Sequence, residues 1–192
     1  MTLPAGDYNI VAVGASDDNN DADRSDDNIW PGSSLGPVGI CNSAETRIKP
    51  DIVAPGVGIQ SPTGSSGIGL WTGTSFASPH VTGSIVLIDQ LTGESLSAEE
   101  IRALLLNTAE DRLQANGNAG NDGPDNTWGY GYLDMNKAYF EVGDVDRETL
   151  VGQGTNAFFR VDSLDSMDTA TIVWNRHIVN NDGITNNLDL FL

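Results

Sequence analysis

The sequence predicts an α/β fold, and three observations carry that prediction. Tyr8 to Val13 (YNIVAV) mixes β-branched and aromatic residues and is closed by Gly14, the pattern of a buried strand. Phe76, Ala77, Val81, Ile85, Val86, Leu87, Ile88 and Leu91 are apolar on most sides of a helical projection, as in a helix inside a domain. Ser97 and Glu100 stand three apart just ahead of Ile101, Leu104 and Leu105, a capping-box pattern for a second helix running to about Asn107.

Residues 16–47 read as irregular after the first strand. Within them ASDDNNDADRSDDN crowds aspartates that repel one another unless solvated or bound to a cation. The spacing lacks the central glycine and terminal glutamate of an EF-hand loop, so it reads as a surface insertion. A structural calcium is compatible with this acidity, with its ligands unassigned. Ile52 to Ala54 is a short strand, Pro55-Gly56 turns the chain, and Val57 to Gln60 is another strand. Ser61 to Gly69 is a glycine-serine loop that leads through Leu70-Trp71-Thr72 to Gly73 and the first helix. Pro79 lies near the start of that helix, where a missing N–H costs least. Ala115 to Asn126 is rich in Asn, Asp and Gly and reads as turns, with oxygens that would also suit calcium. Beyond about residue 141 the pattern changes to short strands at Ala157 to Val161, Thr169 to Trp174 and Leu188 to Phe191. The expected organisation is therefore one unit over residues 1–141 and a β module beginning at 142–192.

Composition narrows the function classes. The 192 residues carry a formal charge of −18, which disfavours nucleic acid and anionic membranes as partners. Cys41 is the single cysteine, so no internal disulfide forms. The longest apolar run, Ile85 to Ile88, is far too short to span a bilayer.

The candidate chemistry lies in GTSFASPHVTG, Gly73 to Gly83, which sets the hydroxyl of Ser75 at the start of an apolar helix. The first N–H groups of a helix lack intrahelical partners, and with the helix dipole they stabilise negative charge developing beside that hydroxyl. A plain N-cap role explains a serine there but not the surrounding motif. Gly73-Thr74-Ser75-Phe76-Ala77 also approximates the G-x-S-x-G elbow of α/β-hydrolases, with Asp134 and His177 following in that order of roles. Ala77 replaces the last elbow glycine, and no strand–helix repeat leads from Ser75 to His177.

KPDIVAPG (Lys49 to Gly56) followed by WTGTSFASPHVTG resembles the C-terminal half of the catalytic domain of subtilisin-like serine proteases, the subtilase (peptidase S8) family. YNIVAVGAS and WGYGYLDMNKA (Trp128 to Ala138) resemble that domain's strand well before the serine and its closing helix. The resemblance covers about residues 8 to 140. It implies a partial subtilisin-like three-layer fold with a mostly parallel sheet, and a Ser-His-Asp mechanism acting on peptide or protein substrates. Ser75 matches the nucleophile, and Thr74 a position supporting the oxyanion hole. No cofactor is implied for the chemistry. ATIVWNRH and NNLDLFL resemble, more loosely, the start of a β-sandwich that some subtilases carry next.

The sequence departs from the family in one respect that decides what the chain does alone. No histidine occurs in the 74 residues before Ser75, where the family places its base. Asp7, Asp17, Asp18 and Asp51 precede the serine outside the family's aspartate motif. His80 matches a position that is structural in the family, and His177 lies in the appended segment. The expectation is a fragment of a secreted serine endopeptidase, inactive alone, whose partner is the missing N-terminal half of the protease domain. The alternative is a non-enzymatic acidic binding module or pseudoprotease remnant, and a lesser alternative an α/β-hydrolase-type esterase.

Overall fold

The computed structural model describes residues 4–39, 46–64, 66–112, 123–145, 147, 170–173, 178–179 and 183–184. The elements in chain order are β1 (Val13–Asp17), β2 (Asn28–Ile29), β3 (Val38–Gly39), β4 (Thr46–Arg47), β5 (Ile52–Pro55), β6 (Ile59–Pro62), β7 (Ile68–Trp71), α1 (Thr74–Thr92), α2 (Ala98–Asn107), α3 (Met135–Glu141), β8 (Ile178–Val179) and β9 (Gly183–Ile184). The α/β class stands.

The central sheet has the order β2-β1-β5. β1 and β5 pair in parallel, Val13 beside Ile52 through Ser16 beside Pro55, while β2 joins β1 antiparallel at Ser16 and Asp17. The other pairings, β3–β4, β6–β7 and β8–β9, are antiparallel. The sheet structure among the described residues is thus partly parallel rather than mostly parallel, because only β5 returns to β1 by a crossover.

Side chains alternate across β5. Ile52 and Ala54 join Ala15 and the buried stripe of α1 in the main core, whereas Val53 packs with Trp128 and Tyr132 in a separate cluster. Only one side of α1 is covered: Ala77, Val81, Ser84 and Ile88 are buried at helical spacing. Val86, Leu87 and Leu91 are 59%, 55% and 43% exposed, so a helix whose sequence is apolar nearly all round is clothed here on one face.

Several boundaries differ from the sequence expectation. β1 starts at Val13, not Tyr8, because residues 8–10 turn and bend, with Tyr8 O and Ile10 O bonded by the side chains of Arg102 and Lys49; backbone pairing toward β5 begins at Ala12 O, which accepts from Asp51 N at 2.8 Å. The glycine-serine stretch is a hairpin: Ile59 pairs with Trp71 and Pro62 with Ile68, which shifts the expected Val57–Gln60 strand two residues on. Gly67, at φ +119°, supplies the backbone its turn needs. Residues 16–47 hold three two-residue strands and a 3-10 turn at Arg24–Asp26 rather than lacking pairing throughout.

α2 has the expected cap, in which Ser97 Oγ accepts from Glu100 N at 3.3 Å and Glu100 Oε2 accepts from Ser97 N at 2.7 Å. α3 begins where Asp134 accepts from Lys137 N at 3.0 Å. Past α3, Val142, Val145 and Val173 pack against the main core. The expected strands Ala157 to Val161 and Leu188 to Phe191 lie outside the described residues. So do the ends of Thr169 to Trp174, whose described residues 170–173 are not strand.

Candidate active site

Ser75 is the second residue of α1, and the turn that presents it is built from two glycines. Gly73 takes φ +152° ahead of the helix, and its N–H donates to Gly56 O at 2.8 Å, pinning the turn to the end of β5. Gly56 lets the two approach: a Cβ there would lie 2.6 Å from Ala15 Cβ and 3.0 Å from Gly73 O. Phe76 N and Ala77 N both turn back to Gly73 O, while the N–H groups of Thr74 and Ser75 have no acceptor among the described residues. These are the free donors of a helix start, adjacent in sequence to the Ser75 hydroxyl.

Pro79 is the sixth residue of α1, past the first turn where the sequence placed it. Lacking an N–H, it leaves the carbonyl of Ser75 without its i+4 donor. Trp71 stacks on Phe76 with centroids 6.0 Å apart, joining β7 to the helix beside the serine.

An open cavity of about 700 Å³ lies between Ser75 and residues 10–13, with Pro4 and Ala5 also on its lining. One wall is Ile10 to Val13; the other is Thr74, Ser75, Ser78, Pro79 and Thr82 of α1. None of its lining side chains is ionisable. Ser75 is exposed and Thr74 half-buried beside it. The side chain therefore has room and nearby donors, but no acid or base within the cavity.

The two histidines do not change this. His80 follows Ser75 by five residues, about 140° around the helix, with Nδ1 2.9 Å from Phe76 O. His177 lies outside the described residues. The candidate aspartates hold backbone instead. Asp7 accepts from Tyr8 N, Asp17 from Asn19 N and Asp18 from Asn20 N. Asp134 caps α3 and sits 3.8 Å from Arg24.

The aspartates of the 17–27 segment close their own turns, Asp21 accepting from Asp23 N and Asp23 from Ser25 N. Among the described residues no three metal-ligating side chains come together. Arg24 and Arg112 neutralise part of this acidity. Both bond Glu110, at 2.8 and 3.0 Å, and Arg112 lies 4.0 Å from Asp27. Burial raises the Asp27 carboxyl above its ordinary range, a shift that Arg112 opposes.

Asp51 belongs to a constellation that sequence reasoning missed. It is buried against Lys49, Oδ2 to Nζ 2.5 Å, with Arg102 3.8 Å from its other oxygen. Burial pushes the Lys49 ammonium below its ordinary range, and the charge of Asp51 opposes that shift. The signal was the K-P-D spacing: residues two apart on extended chain point to the same side.

Comparison with known proteins follows the same lines. The model of the subtilase family (Peptidase_S8) matches residues 1–131. The chain is 40% identical over 107 residues to alkaline elastase YaB of Bacillus sp. (strain YaB), covering 56% of this chain and 23% of that protein. It is 43% identical over 83 residues to the minor extracellular protease Vpr of Bacillus subtilis (strain 168), covering 40% of this chain and 10% of that protein. Among solved structures, the Clostridium perfringens CspB protease superposes with a TM-score of 0.62 at 26% identity, covering 76% of this chain and 29% of that chain. The chain spans less than a third of the length of each.

Proposed function

The chain belongs to the subtilase family, and from that premise we propose that Ser75 is the nucleophile of a secreted serine endopeptidase whose aspartate and histidine are supplied by polypeptide outside this chain. The observation that carries the reading is the exposed Ser75 hydroxyl at a helix start with two free N–H donors, facing a cavity that holds no base. Once a histidine is brought to Ser75 Oγ, it takes the hydroxyl proton as the oxygen attacks a peptide carbonyl. The Ser75 N–H, supported by Thr74, receives the oxyanion. The histidine then returns the proton to the leaving amine, and water hydrolyses the acyl-enzyme.

Substrates in this reading are peptides or proteins. Secretion is supported by the extracellular relative from Bacillus subtilis. Among the described residues no helix is long and apolar enough to cross a membrane. The charge of −18 argues against nucleic acid as a partner. Acyl transfer of this kind draws on no cofactor. A structural calcium at the aspartates of residues 17–27 would show as a melting temperature that drops on chelation. Residues 142–192 are proposed as the start of a separate β module.

The exposed face of α1 fits the same proposal, because Val86 continues the face that carries Ser75, Pro79 and Thr82. The missing part of the protease domain would cover that face and bring the base. The test is peptide hydrolysis by this chain alone and by the chain joined to the segment that precedes it in the coding sequence. Activity only in the joined protein, lost in Ser75→Ala, is expected. A joined protein without a base and without activity would favour the non-enzymatic acidic module.

A further inference from the structure

Ile10, Val11 and Ala12 line the Ser75 cavity just ahead of β1, and the chain that leads into them from Tyr8 turns and bends instead of pairing as strand. Three charged side chains hold them in place. Arg102 Nη1 donates to Tyr8 O at 3.2 Å, Lys49 Nζ donates to Ile10 O at 2.9 Å, and Asp51 Oδ2 accepts from Ala12 N at 2.6 Å. The contacts fall on Tyr8, Ile10 and Ala12, so the segment is gripped along its length as it turns into the ladder, where Ala12 O accepts from Asp51 N at 2.8 Å. The grip is itself linked: Lys49 and Asp51 are bonded to each other, Arg102 lies beside Asp51, and the three side chains are 2%, 5% and 19% exposed.

We propose that Lys49, Asp51 and Arg102 are positioning residues for the Ser75 site: they set the wall of residues 10–13 at a fixed separation from α1. The inference rests on the reading of Ser75 as the nucleophile. Charge-assisted bonds are directional and strong, and they hold residues 8–10 as ladder bonds hold the chain from Ala12 onward. Ser75 itself is held by a different set of contacts, through Gly73 and Gly56. Loosening the clasp therefore moves the wall without moving the nucleophile, and the loss should fall on substrate fit.

Arg102→Gln is the variant of choice, because it removes one end of the clasp and leaves the buried Lys49–Asp51 bond intact. In the joined, active protein, assayed well below its melting temperature, KM is expected to rise about tenfold with kcat little changed, and Arg102→Lys to recover much of the loss. In this chain alone, hydrogen exchange at Ala12 N should accelerate about tenfold while the α2 amides of Leu104 and Leu105 keep their protection. Unchanged exchange at Ala12 would overturn the proposal. So would a lowered melting temperature accompanied by unaltered KM, the result of a purely structural role. Hydrolysis that survives Ser75→Ala would instead overturn the reading of Ser75, while the exchange measurement still decides the clasp.

Discussion

Ser75 and the Lys49–Asp51–Arg102 group show how differently a local motif and a long-range contact are written in a sequence. The helix start that carries Ser75 was legible because its motif is contiguous, eleven residues in a row from Gly73 to Gly83. Lys49, Asp51 and Arg102 were not, because Arg102 lies 51 positions beyond Asp51 in sequence and only the fold brings them together. The buried pair makes a sharp prediction. Lys49→Met leaves Asp51 charged and buried without its closest partner, and should lower unfolding stability by about 3–5 kcal/mol in urea titration. Gly56→Ala tests the turn beneath Ser75. Its Cβ would meet Ala15 and the carbonyl of Gly73, so a loss of about 1–3 kcal/mol is expected.

Elements were legible where local rules decide them. The Ser97–Glu100 box starts α2 where the sequence placed it, and Ser97→Ala should cost about 1 kcal/mol in thermal or urea unfolding, with no effect on the Ser75 turn. The β6–β7 hairpin was not legible, since Gly and Ser in a row signal a loop and the pairing of Ile59 with Trp71 depends on where the strands meet. The onset of β1 was misplaced as well: β-branched and aromatic residues from Tyr8 suit a strand, but composition does not show that residues 8–10 turn and bend before pairing with β5 begins. α1 is the instructive intermediate case. Its all-round apolarity predicted full burial, and the exposed Val86, Leu87 and Leu91 mark the side that this chain leaves open. Val86→Asp should change the melting temperature of this chain little, because that side chain is 59% exposed and lies on the face that carries Ser75. In the joined protein the same substitution should abolish hydrolysis.

Across the whole molecule, acidity and the open face set behaviour. Glu110 shows the sign of the pH response. Burial pushes its carboxyl up, but hydrogen bonds from Arg24 and Arg112 prevail and hold it below its ordinary value of 4.5. Its contribution is complete above about pH 4.5 and is lost as pH falls through the folded value. Burial acts the other way on Asp27, whose penalty is relieved by protonation and offsets part of that loss. The melting temperature should therefore fall less steeply below pH 4.5 in Glu110→Gln than in the parent sequence. The claim on which the account turns is that Ser75 is a nucleophile lacking only its base, and the direct measurement is covalent labelling by a fluorophosphonate, located by peptide mass mapping. The account predicts an adduct on Ser75 in the joined protein and none above background in this chain alone. Equal labelling of Ser75 in both, or labelling of the joined protein at some other residue, would contradict it.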